Sequence, residues 1–316
     1  MRPLVATLVT DGFHPFELGV ACELFGTDRR ELSKDWYRFA IVGPGRVRSH
    51  LGLSLGGVQP LGVASRADTI VIPGWEGLER PPPPAVLDLL RRAAKRGARI
   101  VSFCSGSFAL AHAGVVRRAT THWMFANKFA ETFPDVELDP KPLWVRDGNI
   151  WTAAGTAAAI DCGLAVIAND FGQLIANQVG RRMVAAPVRA GGQAQFIERF
   201  APMGRDEFEP ARRHVLSELA EQHRIATLAR LCAMSPRTFA RRFVAATGTT
   251  PHAWVRQQRL HGAKELLESA PQMSIERVAN AVGLDPANLR LAFRSEFQVS
   301  PKEYRRTFIG ARRGLA

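Results

Sequence analysis

The chain has 316 residues, 46% of them hydrophobic, and a formal net charge of +13. That length accommodates about two domains, the composition excludes a disordered chain, and no apolar run is long enough for a helix to cross a membrane. The excess charge is concentrated at one end: residues 210–316 carry 18 Lys and Arg against 8 Asp and Glu, a balance that points to a polyanionic partner.

Residues 4–9 form an apolar, β-rich run that Asp11-Gly12 closes as a turn. The run reads as a buried strand and not as a signal peptide, so the cytoplasm is the expected location and no membrane is expected. Residues 15–25 then place Phe16, Val20, Leu24 and Phe25 on one side of a helix. Further strands are predicted at 39–42, at 69–72 before Pro73-Gly74, and at 100–103. Helices are predicted from the proline run at 81–84 through Arg96, and over 105–113. A hairpin turns at Asp147-Gly148, and helices follow over 155–167 and 173–184. Strands alternating with helices imply an α/β fold, a doubly wound and mostly parallel sheet covered on both faces. This domain is read as 1–190. The irregular stretch 191–209, beginning Gly191-Gly192-Gln193 and ending in the acidic Asp206, Glu207 and Glu209, is read as a linker. Pro210 then opens an all-helical domain, 210–316.

Within that last domain one pattern is written twice, fifty residues apart and without a gap. Leu228-Ala229 matches Val278-Ala279, Ser235-Pro236 matches Asp285-Pro286, Phe243 matches Phe293, Pro251 matches Pro301 and Trp254 matches Tyr304. A repeat of this length implies two copies of one supersecondary unit. Each copy has a short apolar helix, a turn, and a cap residue followed by proline at the first helical position. A second helix follows with one aromatic edge. Its outer side offers Arg237, Thr238 and Arg241 in the first copy, Asn288 and Arg290 in the second. That is a helix-turn-helix able to present arginines to a major groove.

The four cysteines, Cys22, Cys104, Cys162 and Cys232, include no CxxC pair, so neither a structural metal site nor a disulfide framework is expected, and no cofactor is implied. Cys104 stands apart. In Phe103-Cys104-Ser105-Gly106 a strand turns sharply into a helix, which presents the side chain above the sheet, although Ser102 fills a place often taken by glycine. Glu17, Gly74 and His122 would all lie at the same carboxyl edge of the sheet, where such folds bind ligands. Glu17 and His122 can equally serve as a capping acid and a capping imidazole. Asp161, on an otherwise apolar helix, needs a partner and could orient His122.

Met234-Ser235-Pro236-Arg237-Thr238-Phe239-Ala240-Arg241-Arg242-Phe243 with Gly248-Thr249-Thr250-Pro251 resembles the first half of an AraC-type DNA-binding domain. Val282-Gly283-Leu284, Asn288-Leu289-Arg290 and Val299-Ser300-Pro301-Lys302-Glu303-Tyr304-Arg305 resemble the second. Asp11-Gly12, Phe16-Glu17-Leu18, Ile72-Pro73-Gly74, Cys104-Ser105-Gly106 and Thr120-Thr121-His122-Trp123 resemble the DJ-1/PfpI group, a flavodoxin-like, glutamine-amidotransferase-like fold. The two in this order resemble the GlxA branch of AraC-family regulators, with Asp35-Trp36-Tyr37-Arg38-Phe39 and Gly191-Gly192-Gln193-Ala194-Gln195-Phe196 most similar to its FtrA-like members.

The resemblance implies a promoter-binding transcriptional regulator, an activator with RNA polymerase as a partner, acting as a homodimer assembled through 1–190. It implies a non-enzymatic pocket of Glu17, Gly74, Trp75, Cys104, Ser105 and His122 that senses a small-molecule effector. Double-stranded DNA would be held by Ser235, Arg237, Thr238, Arg241, Asn288, Arg290, Lys302, Arg305 and Arg306. The alternative is a cysteine-dependent amidase or hydrolase carrying a DNA-targeting tail, in which Cys104, His122 and Glu17 would be nucleophile, imidazole partner and acid. The chain departs from the family in a shortened connection before His122, which puts the reach of His122 to Cys104 in question. It departs also in a shortened turn before the second recognition helix, and in Leu291 where an arginine is usual.

Overall fold

The central apolar runs 69–72, 99–103 and 150–153 are buried almost throughout, as expected of strands covered on both faces of a sheet. In the computed structural model, which describes residues 2–185, 192–193, 207–247 and 249–309, the chain forms two units, Met1–Ala194 and Gln195–Ala316. Most of the expected linker lies outside the described residues, as do Gly248 and the tail 310–316.

The first unit contains β1 Leu4–Leu8, β2 Arg38–Gly43, β3 Val47–Arg48, β4 Ser54–Leu55, β5 Gln59–Pro60, β6 Thr69–Ile72, β7 Arg99–Phe103, β8 Arg118–Ala119, β9 Glu137–Leu138, β10 Trp144–Asp147 and β11 Ile150–Ala153. Its helices are α1 Pro15–Ala21, α2 Pro84–Lys95, α3 Gly106–Ala113, α4 Ala126–Thr132, α5 Ala157–Phe171 and α6 Gln173–Arg182. The main sheet has the order β10-β11-β7-β6-β1-β2-β5. All its pairings are parallel except the β10–β11 hairpin. One face packs Ile70, Ile72 and Ile100 against Val86, Leu90 and Phe108 of α2 and α3. The other packs Val71, Val101 and Phe103 against Leu24, Phe25 and the α5 residues Cys162, Leu164 and Val166. The chain reverses its direction of travel across the sheet between β1 and β6. The connections that leave their carboxyl ends therefore run to opposite faces of the sheet, the arrangement at which such folds bind ligands.

Several elements went unpredicted: β3, β4, β5, β8, β9 and α4. The paired strands among them are two residues long, too short for an alternation to register. The first helix also continues beyond α1 as a π-helical segment over Cys22–Gly26.

The second unit is all helical: α7 Glu209–Ser217, α8 Ile225–Leu231, α9 Pro236–Thr247, α10 Pro251–Ser269, α11 Ile275–Ala281, α12 Pro286–Phe297 and α13 Pro301–Ile309. Phe239 and Phe243 of α9 are buried with Phe208, Val215, Leu228 and Val255. Leu289, Phe293 and Phe297 of α12 are buried in the second copy, with Tyr304 stacked edge-on to Phe293. The two turns share a left-handed residue at matching places, Ala233 at φ 55° and Gly283 at φ 69°. Arg259 of α10 ties the copies together. Its Nε and Nη2 donate to the carbonyls of Leu219 and Glu221 ahead of α8, at 3.0 and 2.6 Å, and its Nη1 donates to the carbonyl of Gly283 at 2.9 Å.

Candidate functional site: a cysteine elbow and a duplicated helix-turn-helix

Cys104 lies between β7 and α3 with φ 52°, a conformation that costs a non-glycine residue about 1–3 kcal/mol and persists only where its surroundings enforce it. Its N–H donates to the Ala153 carbonyl at 3.0 Å, extending the β7–β11 pairing by one residue. Its carbonyl accepts from Thr121 Oγ1 at 3.1 Å and Ser107 Oγ at 3.3 Å. Two glycines make room for the bend. A Cβ on Gly106 would stand 2.7 Å from the Ile72 carbonyl oxygen, and one on Gly155 would stand 2.3 Å from the Cys104 Cβ. Ser105 Oγ accepts from the Trp75 N–H at 2.9 Å, joining the end of β6 to the elbow.

Glu17 reaches this point from the first turn of α1 and is almost wholly buried. Its Oε1 accepts from the Thr156 N–H at 3.0 Å, and Thr156 is itself held at φ 46° ahead of α5. The histidine beside it is His14. Its Nδ1 lies 3.9 Å from Glu17 Oε2, and ligand-type atoms of His14, Glu17 and Cys104 all fall within 4.8 Å of one another. His50, on the turn between β3 and β4, donates from Nδ1 to the Phe13 carbonyl at 3.3 Å and sets its ring 5.0 Å from that of His14. His14, Glu17 and Cys104 form the one such trio among the described residues. They offer three donor atoms, one short of the four of a closed tetrahedral metal site.

His122 is placed differently from the enzyme-like arrangement. It opens a short turn, Trp123–Phe125, where its Nδ1 accepts from the Met124 N–H at 3.3 Å and its ring stacks on Trp123. Among the described residues no hydrogen bond joins His122 to Cys104. The imidazole instead caps the Trp123–Phe125 turn.

Electrostatics follow from burial. The Cys104 thiol is pushed up to about 12, first by desolvation and then by the Glu17 charge. His14 and His122 are both depressed by burial, with Glu17 opposing the effect. At neutral pH the site therefore holds a protonated thiol beside uncharged imidazoles. A nucleophilic cysteine needs the reverse, a thiolate stabilised by nearby positive charge.

The Thr120–Trp123 segment has a further partner that the sequence reading placed in the linker. Gln193 is 3% exposed and belongs to the first unit. Its Oε1 accepts from the Trp123 N–H at 3.0 Å, and its Nε2 donates to Thr120 Oγ1 at 3.1 Å and to the Thr121 carbonyl at 2.9 Å. Sequence reasoning missed His14, His50, Thr156 and Gln193. Only His14 carried a local signal, since its spacing of three puts it on the same helical turn as Glu17.

In the second unit, Ser235 Oγ accepts from the Thr238 N–H at 3.2 Å and pairs with Thr238 Oγ1 at 2.9 Å. Both side chains are thus engaged in capping α9. Arg237 and Arg241 are exposed on that helix, and neither forms an ion pair among the described residues. The neighbouring Arg242 binds Glu207 at 2.7 Å. On α12, Asp285 accepts from the Ala287 and Asn288 N–H groups, both at 3.0 Å, and the Asn288 side-chain amide donates to its other oxygen. Arg290 binds Glu276 at 2.6 Å, and Leu291 is 73% exposed. Lys302 and Arg306 of α13 are exposed. Arg305 is half-buried, with Nε and Nη2 buried and unbonded among the described residues.

A doubly wound α/β unit followed by two capped helix-turn-helix copies defines a DNA-binding transcriptional regulator with a DJ-1/PfpI-like sensing domain. Residues 5–169 match the DJ-1/PfpI family and residues 228–307 match a helix-turn-helix domain. The HTH-type transcriptional regulator GlxA of Rhizobium meliloti (strain 1021) is 33% identical over 277 residues, which are 84% of this chain and 83% of that one. The chain belongs to the DJ-1/PfpI family through its first unit and, through both units together, to the AraC-type regulators in the branch of GlxA. Isonitrile hydratase of Pseudomonas putida is 32% identical over 145 residues, covering 45% of this chain and 62% of the enzyme. A crystal structure of an AraC family transcriptional regulator from Pseudomonas putida shares the fold at a TM-score of 0.51 and 21% identity, over 57% of this chain and 99% of that one.

Proposed function

We propose that the chain is an effector-controlled activator of transcription, working in the cytoplasm as a homodimer that recruits RNA polymerase. The boundaries 1–190, 191–209 and 210–316 divide sensing and self-association, connection, and promoter binding. The small molecule sits at the crevice formed by Glu17, Gly74, Trp75, Cys104, Ser105 and His122, and is bound without turnover. The carrying observation is the contrast between the two ends of the molecule. Among the described residues, Cys104 is a buried, protonated thiol with no imidazole bonded to it, whereas α9 exposes Arg237 and Arg241 without an ion pair. His14 and His50 beside Glu17 suit a small nitrogenous or carboxylate metabolite as the effector, held by hydrogen bonds.

The test is selection of randomised duplex DNA by the full-length protein. A reproducible sequence motif supports the regulator reading, and retention of DNA without sequence preference counts against it. The second reading, a cysteine-dependent amidase or hydrolase, draws on the strained Cys104 backbone, which has the geometry of a nucleophile elbow. Multiple turnover of a panel of small amides by the full chain, abolished in Cys104→Ala, would favour it instead.

A further inference from the structure

Gln193 lies beyond α6 with its side chain buried in the first unit, and its hydrogen bonds among the described residues all fall within 120–123. The amide oxygen holds the Trp123 N–H, and the amide nitrogen holds Thr120 Oγ1 and the Thr121 carbonyl. Those bonds bracket His122. They also reach the elbow within one further step, because Thr121 Oγ1 donates to the Cys104 carbonyl. Thr120 is fixed from the other side, its N–H donating to Thr152 Oγ1 of β11 at 2.8 Å. A buried primary amide satisfied on three of its four hydrogen-bonding positions has a defined orientation. Any occupant of the crevice that moves the His122 turn must move or release that amide.

We propose that Gln193 is a positioning residue that holds the His122 turn in place and ties it to the chain leading into the DNA-binding unit. It thereby makes the state of the effector site legible to the helix-turn-helix pair. The inference rests on the regulator reading and adds the route by which that reading operates. Coupling of this kind requires an element with two arrangements that both sites bias. Here the two arrangements are the Gln193 amide seated on residues 120–123, and the same amide released.

The experiment is a double-mutant cycle on operator affinity in the full-length protein, with the operator taken from the randomised-site selection. The probe of the crevice is the substitution His122→Ala, which disturbs the turn without any added compound. His122→Ala is expected to change operator affinity several-fold in the wild-type background and to have no effect in a Gln193→Ala background. Hydrogen exchange in the 120–123 segment should accelerate by roughly tenfold or more at the Trp123 amide in Gln193→Ala, since that N–H loses its acceptor. Peptides from 209–217 should exchange as in wild type, which reports that the second unit is folded. Thr120→Val removes one of the three contacts with little change of shape and is expected to give an intermediate loss of coupling, so the inference stays testable if Gln193→Ala does not fold. His122→Ala effects that are equal in both backgrounds, or absent in both, overturn the proposal, as does unchanged protection of residues 120–123. Failure of the wild-type protein to select an operator would instead bring down the regulator reading itself.

Discussion

Cys104 combines the backbone geometry of a reactive group with surroundings that hold its thiol protonated. With the thiol titrating at about 12, roughly one molecule in ten thousand carries a thiolate at pH 8. Iodoacetamide at that pH should alkylate the half-buried Cys232 well before Cys104, as peptide mapping would show; rapid labelling of Cys104 would contradict the burial argument. Cys104→Ser should retain ligand response and operator binding, because a hydroxyl can fill the same hydrogen-bonding place. Its loss of response with ligand and DNA binding intact would mean that covalent chemistry is required. The bend itself depends on the glycines. Gly155→Ala puts a methyl against the Cys104 Cβ at a residue with φ 86°, and should destabilise the first unit by about 3 kcal/mol or more, read from the denaturation midpoint. Much of this site was legible from sequence: the strand-to-helix junction, Glu17 and the carboxyl edge follow from local pattern. The pairing of His14 with His50 was not, because it depends on a turn between two-residue strands that packs back on the start of α1.

The helix-turn-helix copies were legible because their determinants are local. Serine or aspartate followed by proline fixes the start of each recognition helix, and aromatic spacing fixes its buried edge. What the repeat could not disclose is how far the outward groups are already engaged. On α9, Arg237 and Arg241 are unpaired among the described residues. On α12, the Asn288 amide is bound to Asp285 and Arg290 to Glu276. An exposed ion pair is weak, about 0–1 kcal/mol, yet it must be given up before Arg290 can read a base. Arg241→Ala should therefore lower specific operator affinity by roughly tenfold or more, while randomised-site selection on the wild type should return strong base preference in one major-groove segment and loose preference in the next. Leu291→Arg should tighten binding and sharpen that second segment. Equal information in both segments of the wild-type site would show that the engaged side chains do not blunt α12.

For the molecule as a whole, the +10 excess over residues 210–316 supplies general attraction to DNA, and dimerisation would convert two modest contacts into one strong one through effective concentration. Sedimentation of the full-length protein at micromolar concentration should give a dimer, and operator titration should saturate at two protomers. A strict monomer binding one per promoter would remove self-association from the scheme. The order of units was readable from composition and motif. The seat of Gln193 was not, since a side chain folding back on residues seventy positions earlier leaves no periodic trace.

Arg259 has a consequence for the DNA as well as for the protein. Because its guanidinium grips three backbone carbonyls, two ahead of α8 and one in the turn before α12, it helps to set the pitch between the two reading heads like the gap of a caliper. Duplex DNA turns once in about 10–10.5 base pairs, so one inserted base pair between the two segments rotates the second by roughly 35° and shifts it about 3.4 Å along the axis. A caliper of this kind should tolerate base changes in the gap far better than a change in its length. Arg259→Ala, by loosening the jaw, should flatten the penalty for insertion, measured as the ratio of affinities for the native and the lengthened operator.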